Sequence, residues 1–133
     1  MKIVINSCFG GFGLSHKACM LYARLSGFKL YAYRKDPKDI SKYVPLKGKN
    51  KHDFLPIFYF KKPLTKFNNK NWWYDRDIDR ADPILVRVVE KLGEKANNSC
   101  ASLKIVEIPD GVDWEIHEYD GSETIHEKHR SWN

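Results

Sequence analysis

The chain has 133 residues, a net charge of +6 and 30% charged residues, enough length to bury one core and too little for a two-lobed enzyme. No apolar run is long enough for a transmembrane span, and the first residues lack the basic region and apolar stretch of a secretory signal, so the expected setting is the cytosol. Cys8, Cys19 and Cys100 are odd in number and show no Cys-x-x-Cys spacing, which argues against a disulfide framework or a zinc ribbon and predicts reduced, buried thiols.

Ile3, Val4 and Ile5 form a β-branched run of strand length, and Gly10, Gly11 and Gly13 punctuate the chain before a helical pattern begins near Ser15. Strand, glycine loop and helix start in that order suit a phosphorylated, aromatic small molecule. The glycines at Gly10 and Gly11 allow close approach of backbone to ligand, Ser15 is placed as an N-cap, and the helix's leading N–H groups favour an anion. Phe9 and Phe12 offer rings for a base; one is expected in the core and the other facing ligand. The stretch is neither a Walker loop nor a complete dinucleotide fingerprint, and a turn with both rings in the core is the plain alternative.

Apolar residues at Ala18, Leu21, Tyr22 and Leu25 share one helical face that Gly27 ends. Phe28 to Tyr33 alternates as a second strand, and Arg34 to Phe54 is expected to be a loop-like insertion broken by Pro37, Pro45 and Gly48. Leu55 to Phe60 is a short strand-like run. Asp82 as N-cap and Pro83 in the first turn open a helix that Leu85, Val88, Val89 and Leu92 carry to about Ala96. Leu103 to Ile108 and Trp114 to His117 are expected to pair as a hairpin about Asp110-Gly111. Asp120-Gly121 makes a second turn, after which Ser122 caps a short helix from Glu123 to His129 that delivers Arg130 and Trp132. The fold class is therefore α+β, a small single domain over 1–133 with mainly antiparallel sheet, two main helices, a short C-terminal helix and a basic insertion around 34–79.

Charge is unevenly placed, with 13 basic and 6 acidic residues from Arg34 to Arg80 against 2 basic and 8 acidic from Leu103 to Lys128. Aromatics interleaved in the basic middle (Tyr59, Phe60, Phe67, Trp72, Trp73, Tyr74) match a single-stranded nucleic-acid binder. The competing reading, favoured because no nucleic-acid motif accompanies them, makes the tryptophans core or oligomer contacts. His126, Glu127 and His129 place two histidines three apart, which could share a helix face, and Asp113 with Glu115 would share one strand face. Neither pattern, nor Cys8 with His16, defines a catalytic constellation. No catalytic residue, metal or cofactor is assigned.

The opening KIVIN-x-CFGGFGLS-x-KA, the DP-x-LV-x-VVE-x-LG pattern from Asp82 to Gly93 and the ending LKIVEIPDGVDWEIHEYDGSETIHEKHRSW from Leu103 to Trp132 together resemble the phage Thoeris anti-defence sponge family, over roughly half of the chain. The resemblance implies a protein that acts in the host bacterial cytoplasm, holds intact the glycocyclic ADP-ribose made by a TIR-domain enzyme, and so keeps an NAD-depleting effector inactive. It implies a homo-oligomer built from dimers, a hexamer among the arrangements, with pockets near the dimer interface; some members also hold cyclic trinucleotides at a separate site. It assigns Arg130 to the site through the matching HR-S-W ending, and Arg130 and Asp113 then offer a guanidinium fork and a ribose-hydroxyl acceptor beside Phe9, Gly10, Gly11, Phe12 and Ser15. Arg34 to Asp79 lies outside the resemblance. Two readings from other classes stand beside it: a single-stranded nucleic-acid binder, and a small hydrolase or lyase acting on nucleotide-ribose substrates.

Overall fold

The computed structural model describes residues 1–46, 56–64 and 71–128. Strand β1 (Lys2–Asn6) leads through the glycine loop to helix α1 (His16–Ser26), and β2 (Tyr31–Asp36), β3 (Asp39–Pro45), β4 (Phe58–Phe60) and β5 (Trp72–Trp73) follow. A 3-10 turn at Asp75–Asp77 precedes helix α2 (Pro83–Leu92), which tightens into a second 3-10 turn over Gly93–Ala96; β6 (Leu103–Glu107), β7 (Trp114–Tyr119) and β8 (Ser122–Glu127) close the chain. The class is α+β, with eight strands in antiparallel sheets and two main helices among the described residues.

Both helices form where their signals stand. Ser15 accepts from the Ala18 N–H, and Gly27 ends α1 in the left-handed region at φ +86°, a conformation open to a residue without Cβ. Asp82 accepts from the Ile84 N–H at 2.8 Å and from the Tyr22 hydroxyl at 2.6 Å, so one carboxylate caps α2 and ties it to α1. Burial and that carboxylate push the Tyr22 phenol up to about 12. Leu85, Val88 and Val89 of α2 pack with Ala18, Cys19 and Leu21 of α1 over Val4 of β1. Ile3 and Ile5, which alternate to the other face of β1, are equally buried.

Three expectations are corrected. Leu103 to Ile108 does not pair with the segment after it: β6 pairs antiparallel with β1, Ile3 opposite Val106, because that pairing covers the apolar run on which the helices rest. The C-terminal helix expected over Glu123 to His129 is a strand through Glu127, since Asp120 (φ +50°) and Gly121 (φ +88°) make a two-residue turn that sends Ser122 back along β7. Arg34 to Phe54 is not wholly loop: β2 runs on to Asp36, and β3 returns from Asp39 to Pro45 after a corner in which Asp36 accepts from the Lys38 N–H. Pro37 serves as the corner residue there, a role its fixed φ suits.

β2, β3, β4 and β5 form one sheet in the order β3-β2-β4-β5. Tyr59 and Trp73, opposite each other, pack toward the helical core. On the reverse face Trp72 meets Phe60 at 4.6 Å between ring centroids, Tyr43 at 6.0 Å and Phe58 at 6.1 Å. These contacts pack Trp73 against the core, while Trp72 stays 37% exposed at the sheet surface.

Candidate functional site

The glycine loop rests on the β7–β8 turn, with almost no side chain between the two backbones. The Gly10 N–H donates to Asp120 O at 3.1 Å, and the Asn6 amide donates to Gly121 O at 2.7 Å and to Cys8 O at 2.8 Å. A Cβ on Gly121 would meet Gly10 N at 2.7 Å and Gly11 Cα at 2.8 Å, so that glycine is required by close approach as well as by its positive φ.

Behind the loop lies a buried ion pair. Arg80 Nη1 donates to Glu123 Oε1 at 2.6 Å and Nη2 to Oε2 at 2.9 Å, while the Asn6 N–H donates to the same carboxylate at 2.8 Å. The Arg80 guanidinium sits 3.6 Å from the centroid of the buried Phe12 ring. One residue from the end of α2's lead-in therefore fixes β1, β8 and the glycine loop together. These groups wall a polar cavity of about 390 Å³ lined by Gly10, Gly11, Phe12, Arg76 and Arg80 with Glu118, Asp120 and Glu123. Its cations and carboxylates largely balance, which makes it a poor seat for a phosphate.

A larger cavity, about 900 Å³, opens on the other side of Phe12 and Arg76, at the start of α1. Ser15, His16 and Lys17 contribute the helix start, Tyr59, Trp72, Trp73 and Tyr74 the aromatic wall, Arg76 and Lys95 further cations, and Asn97 and Asn98 amides. The Trp72 and Tyr74 rings stack 5° from parallel at 5.8 Å, and Tyr74 is half exposed. Leading N–H groups of α1 have no intrahelical acceptor, so the positive end of the helix faces this cavity beside Lys17 and Lys95. Ser15 is engaged as both cap and donor, its hydroxyl bonding Lys95 O at 2.7 Å. Asp75 holds the loop in place by accepting from the Leu14 N–H at 2.8 Å.

His16 and Tyr59 of this wall are paired with each other, and the buried Cys19 lies outside the lining. His16 Nδ1 lies 2.8 Å from the Tyr59 hydroxyl, the two rings stack, and burial lowers the histidine's pKa. Burial, reinforced by the Asp75 charge, drives the Cys19 thiol and the Tyr59 phenol well above their usual ranges.

The predicted site residues separate. Gly10, Gly11, Phe12 and Ser15 line the two cavities, with Phe12 at both. Phe12 is the buried ring of the pair, whereas Phe9 is exposed and its ring meets Tyr119 edge to face at 6.5 Å. Asp113 lines neither cavity, its side chain exposed 3.9 Å from Lys128 Nζ. Arg130, like Trp132 and His129, lies outside the described residues. His126 stacks on His117 at 4.0 Å on β7–β8, and among the described residues no three His, Cys, Asp or Glu side chains are grouped to hold a metal. The thiols are free, but only Cys19 is buried: Cys8 sits half-buried where β1 ends, and Cys100 is exposed in a turn. Sequence reasoning missed Tyr59, Tyr74, Arg76 and Lys95 as walls of one cavity; the run Trp72-Trp73-Tyr74 was visible, but nothing local brings it to the helix start.

No family model, curated protein or solved structure matches the chain. Among the described residues no helix is long and apolar enough to cross a membrane.

Proposed function

We propose that this protein binds and sequesters a glycocyclic ADP-ribose immune signal of the Thoeris type without degrading it, and so blocks activation of the effector that the signal would switch on. The observation that carries the reading is the 900 Å³ cavity in which an aromatic wall, three cations against the single carboxylate of Asp75, and a helix start converge. Its size falls in the range of about 300–1,000 Å³ used by small-molecule sites. An adenine face matches Tyr74 and Trp72, the pyrophosphate matches the start of α1 with Lys17 and Lys95, and ribose hydroxyls match the Asn97 and Asn98 amides.

The test is calorimetric titration of the protein with glycocyclic ADP-ribose, followed by heat release and chromatography of the recovered compound. Binding with intact recovery is expected, and Tyr74→Ala should weaken affinity about 5- to 150-fold, the equivalent of losing roughly 1–3 kcal/mol of base stacking. Absence of binding overturns the reading, and chemically altered ligand replaces it with an enzyme. Steeply salt-dependent binding of oligonucleotides in place of the cyclic compound would return the case to the basic middle segment.

A further inference from the structure

A third concavity, about 1,010 Å³, runs beside α1, and its rim carries Lys17, Arg24, Lys29, Lys91 and Lys95 with no acidic side chain in the lining. Lys61 joins them, its Nζ 4.9 Å over the ring of Phe28 in the same lining. All six cations are exposed, and among the described residues none of them makes an ion pair. Of the acidic side chains nearest to them on α2 and its 3-10 turn, Glu90 is taken by Lys2 at 3.4 Å and Glu94 lines none of the three concavities. The depth of the groove is core, Leu21 and Leu30 being 8% and 6% exposed, so what this surface offers is charge.

That charge is continuous with the aromatic cavity, because Lys17 and Lys95 line both. Arg24 lies two turns beyond Lys17 on α1, about 10 Å along the axis, and Lys91 lies one turn before Lys95, about 6 Å along α2 and its 3-10 turn. Both separations fall within the Debye length of about 10 Å at 0.1 M salt, so the rim charges add to the potential at the cavity. The dipole of α1 acts in the same sense, since its positive end is the one at the cavity. Asp75 is the one carboxylate in the cavity lining, and it stands against Lys17, Arg76 and Lys95. The potential is therefore positive from the rim through to the place where the ligand would rest.

We propose that Arg24, Lys29 and Lys91 form a capture surface, which rests on the sequestering role proposed above: they steer the anionic pyrophosphate of the ligand into the aromatic cavity and raise its association rate without touching it once bound. A signal has to be removed before its effector meets it, so a fast on-rate is what a sequestering protein gains from free charge beside its cavity. Charges that border the route raise kon and leave koff alone, and their effect fades as salt screens them. The rim cations need no partner within the chain, since the ligand in transit is the group they attract.

The experiment is stopped-flow mixing with glycocyclic ADP-ribose, read by tryptophan fluorescence because Trp72 and Trp73 both line the cavity. It compares the wild type, a rim variant (Arg24→Gln, Lys29→Gln and Lys91→Gln) and a control of the same net charge (Lys38→Gln, Lys104→Gln and Lys128→Gln), each verified as folded by circular dichroism. The rim residues do not line the aromatic cavity, and the control lysines line none of the three concavities. In about 0.01 M salt the rim variant should associate about 3- to 10-fold more slowly than wild type and the control less than about 2-fold, with koff unchanged in both, and the rim difference should close at about 1 M salt. Equal slowing of the two variants, a rim effect that persists at high salt, or a rim variant that changes koff instead of kon overturns the proposal. A wild type that shows no binding of the compound by calorimetry overturns the sequestering function and the capture surface with it. A wild type that binds while both variants associate as fast as it does overturns the capture surface alone.

Discussion

Replacing Arg80 by methionine should destabilise the protein by about 3–5 kcal/mol. The substitution keeps most of the apolar stem over Phe12 but removes both guanidinium bonds to Glu123, at 2.6 and 2.9 Å. The Arg80 and Glu123 side chains are only 15% and 8% exposed, so water of the adjoining polar cavity replaces the lost partner only in part, and the carboxylate keeps a single backbone donor from Asn6 at 2.8 Å. Stranding one member of a buried pair costs about 3–5 kcal/mol, more than the pair contributes over an apolar substitute. That asymmetry gives the control: adding Glu123→Gln to Arg80→Met should recover about 1–3 kcal/mol, because the amide oxygen still accepts from Asn6 and no charge is left buried. Urea denaturation of the wild type, both single variants and the double variant closes the cycle. An Arg80→Met variant within about 1 kcal/mol of wild type, or a double variant no more stable than Arg80→Met, would refute the argument.

Two further outcomes follow from the same structure. Gly121→Ala should cost about 1–3 kcal/mol more than Gly111→Ala, since both glycines have positive φ but only the Gly121 Cβ meets the Gly10 and Gly11 backbone; equal melting temperatures for the two variants would deny the close approach. Burial lowers the pKa of His16 below 6.5, so the folded state disfavours the proton: the contribution is complete above pH 6.5 and is lost as pH falls from there toward the lower folded value. Thermal melts of wild type and His16→Gln from about pH 8 to 5 should converge on the acid side, and a constant difference between them would exclude this assignment.

The helices were legible because their signals are local. Ser15 with Gly27 and Asp82 with Pro83 act within a few residues of where they stand, and an apolar face needs only its own period. Strand partners are not local. Leu103–Glu107 has a turn and an apolar segment immediately after it, and nothing in that neighbourhood says that Ile3, Val4 and Ile5 compete for it and win. Ser122 followed by Glu123 satisfies a helix-start pattern equally well as a strand in which Ile125 faces Ile116, and the strand prevails because the Asp120-Gly121 turn has already reversed the chain. Of the candidate site, the glycine loop and the cap at Ser15 could be read directly. The aromatic wall could not, since Tyr59 and Tyr74 reach the start of α1 only after β4 and β5 have paired.

The pairing of Ile3 with Val106 also sets an order in time. At a synthesis rate of about 5–20 residues per second, β1 leaves the ribosome several seconds before its partner exists. During that interval the apolar run has one open edge, the kind of segment that chaperones hold or that pairs wrongly. The loop that follows is anchored by Ser102, Asp120 and Gly121, none of which has yet been made. Ribosomes that stall short of that stretch release chains with both helices encoded and no closed glycine loop.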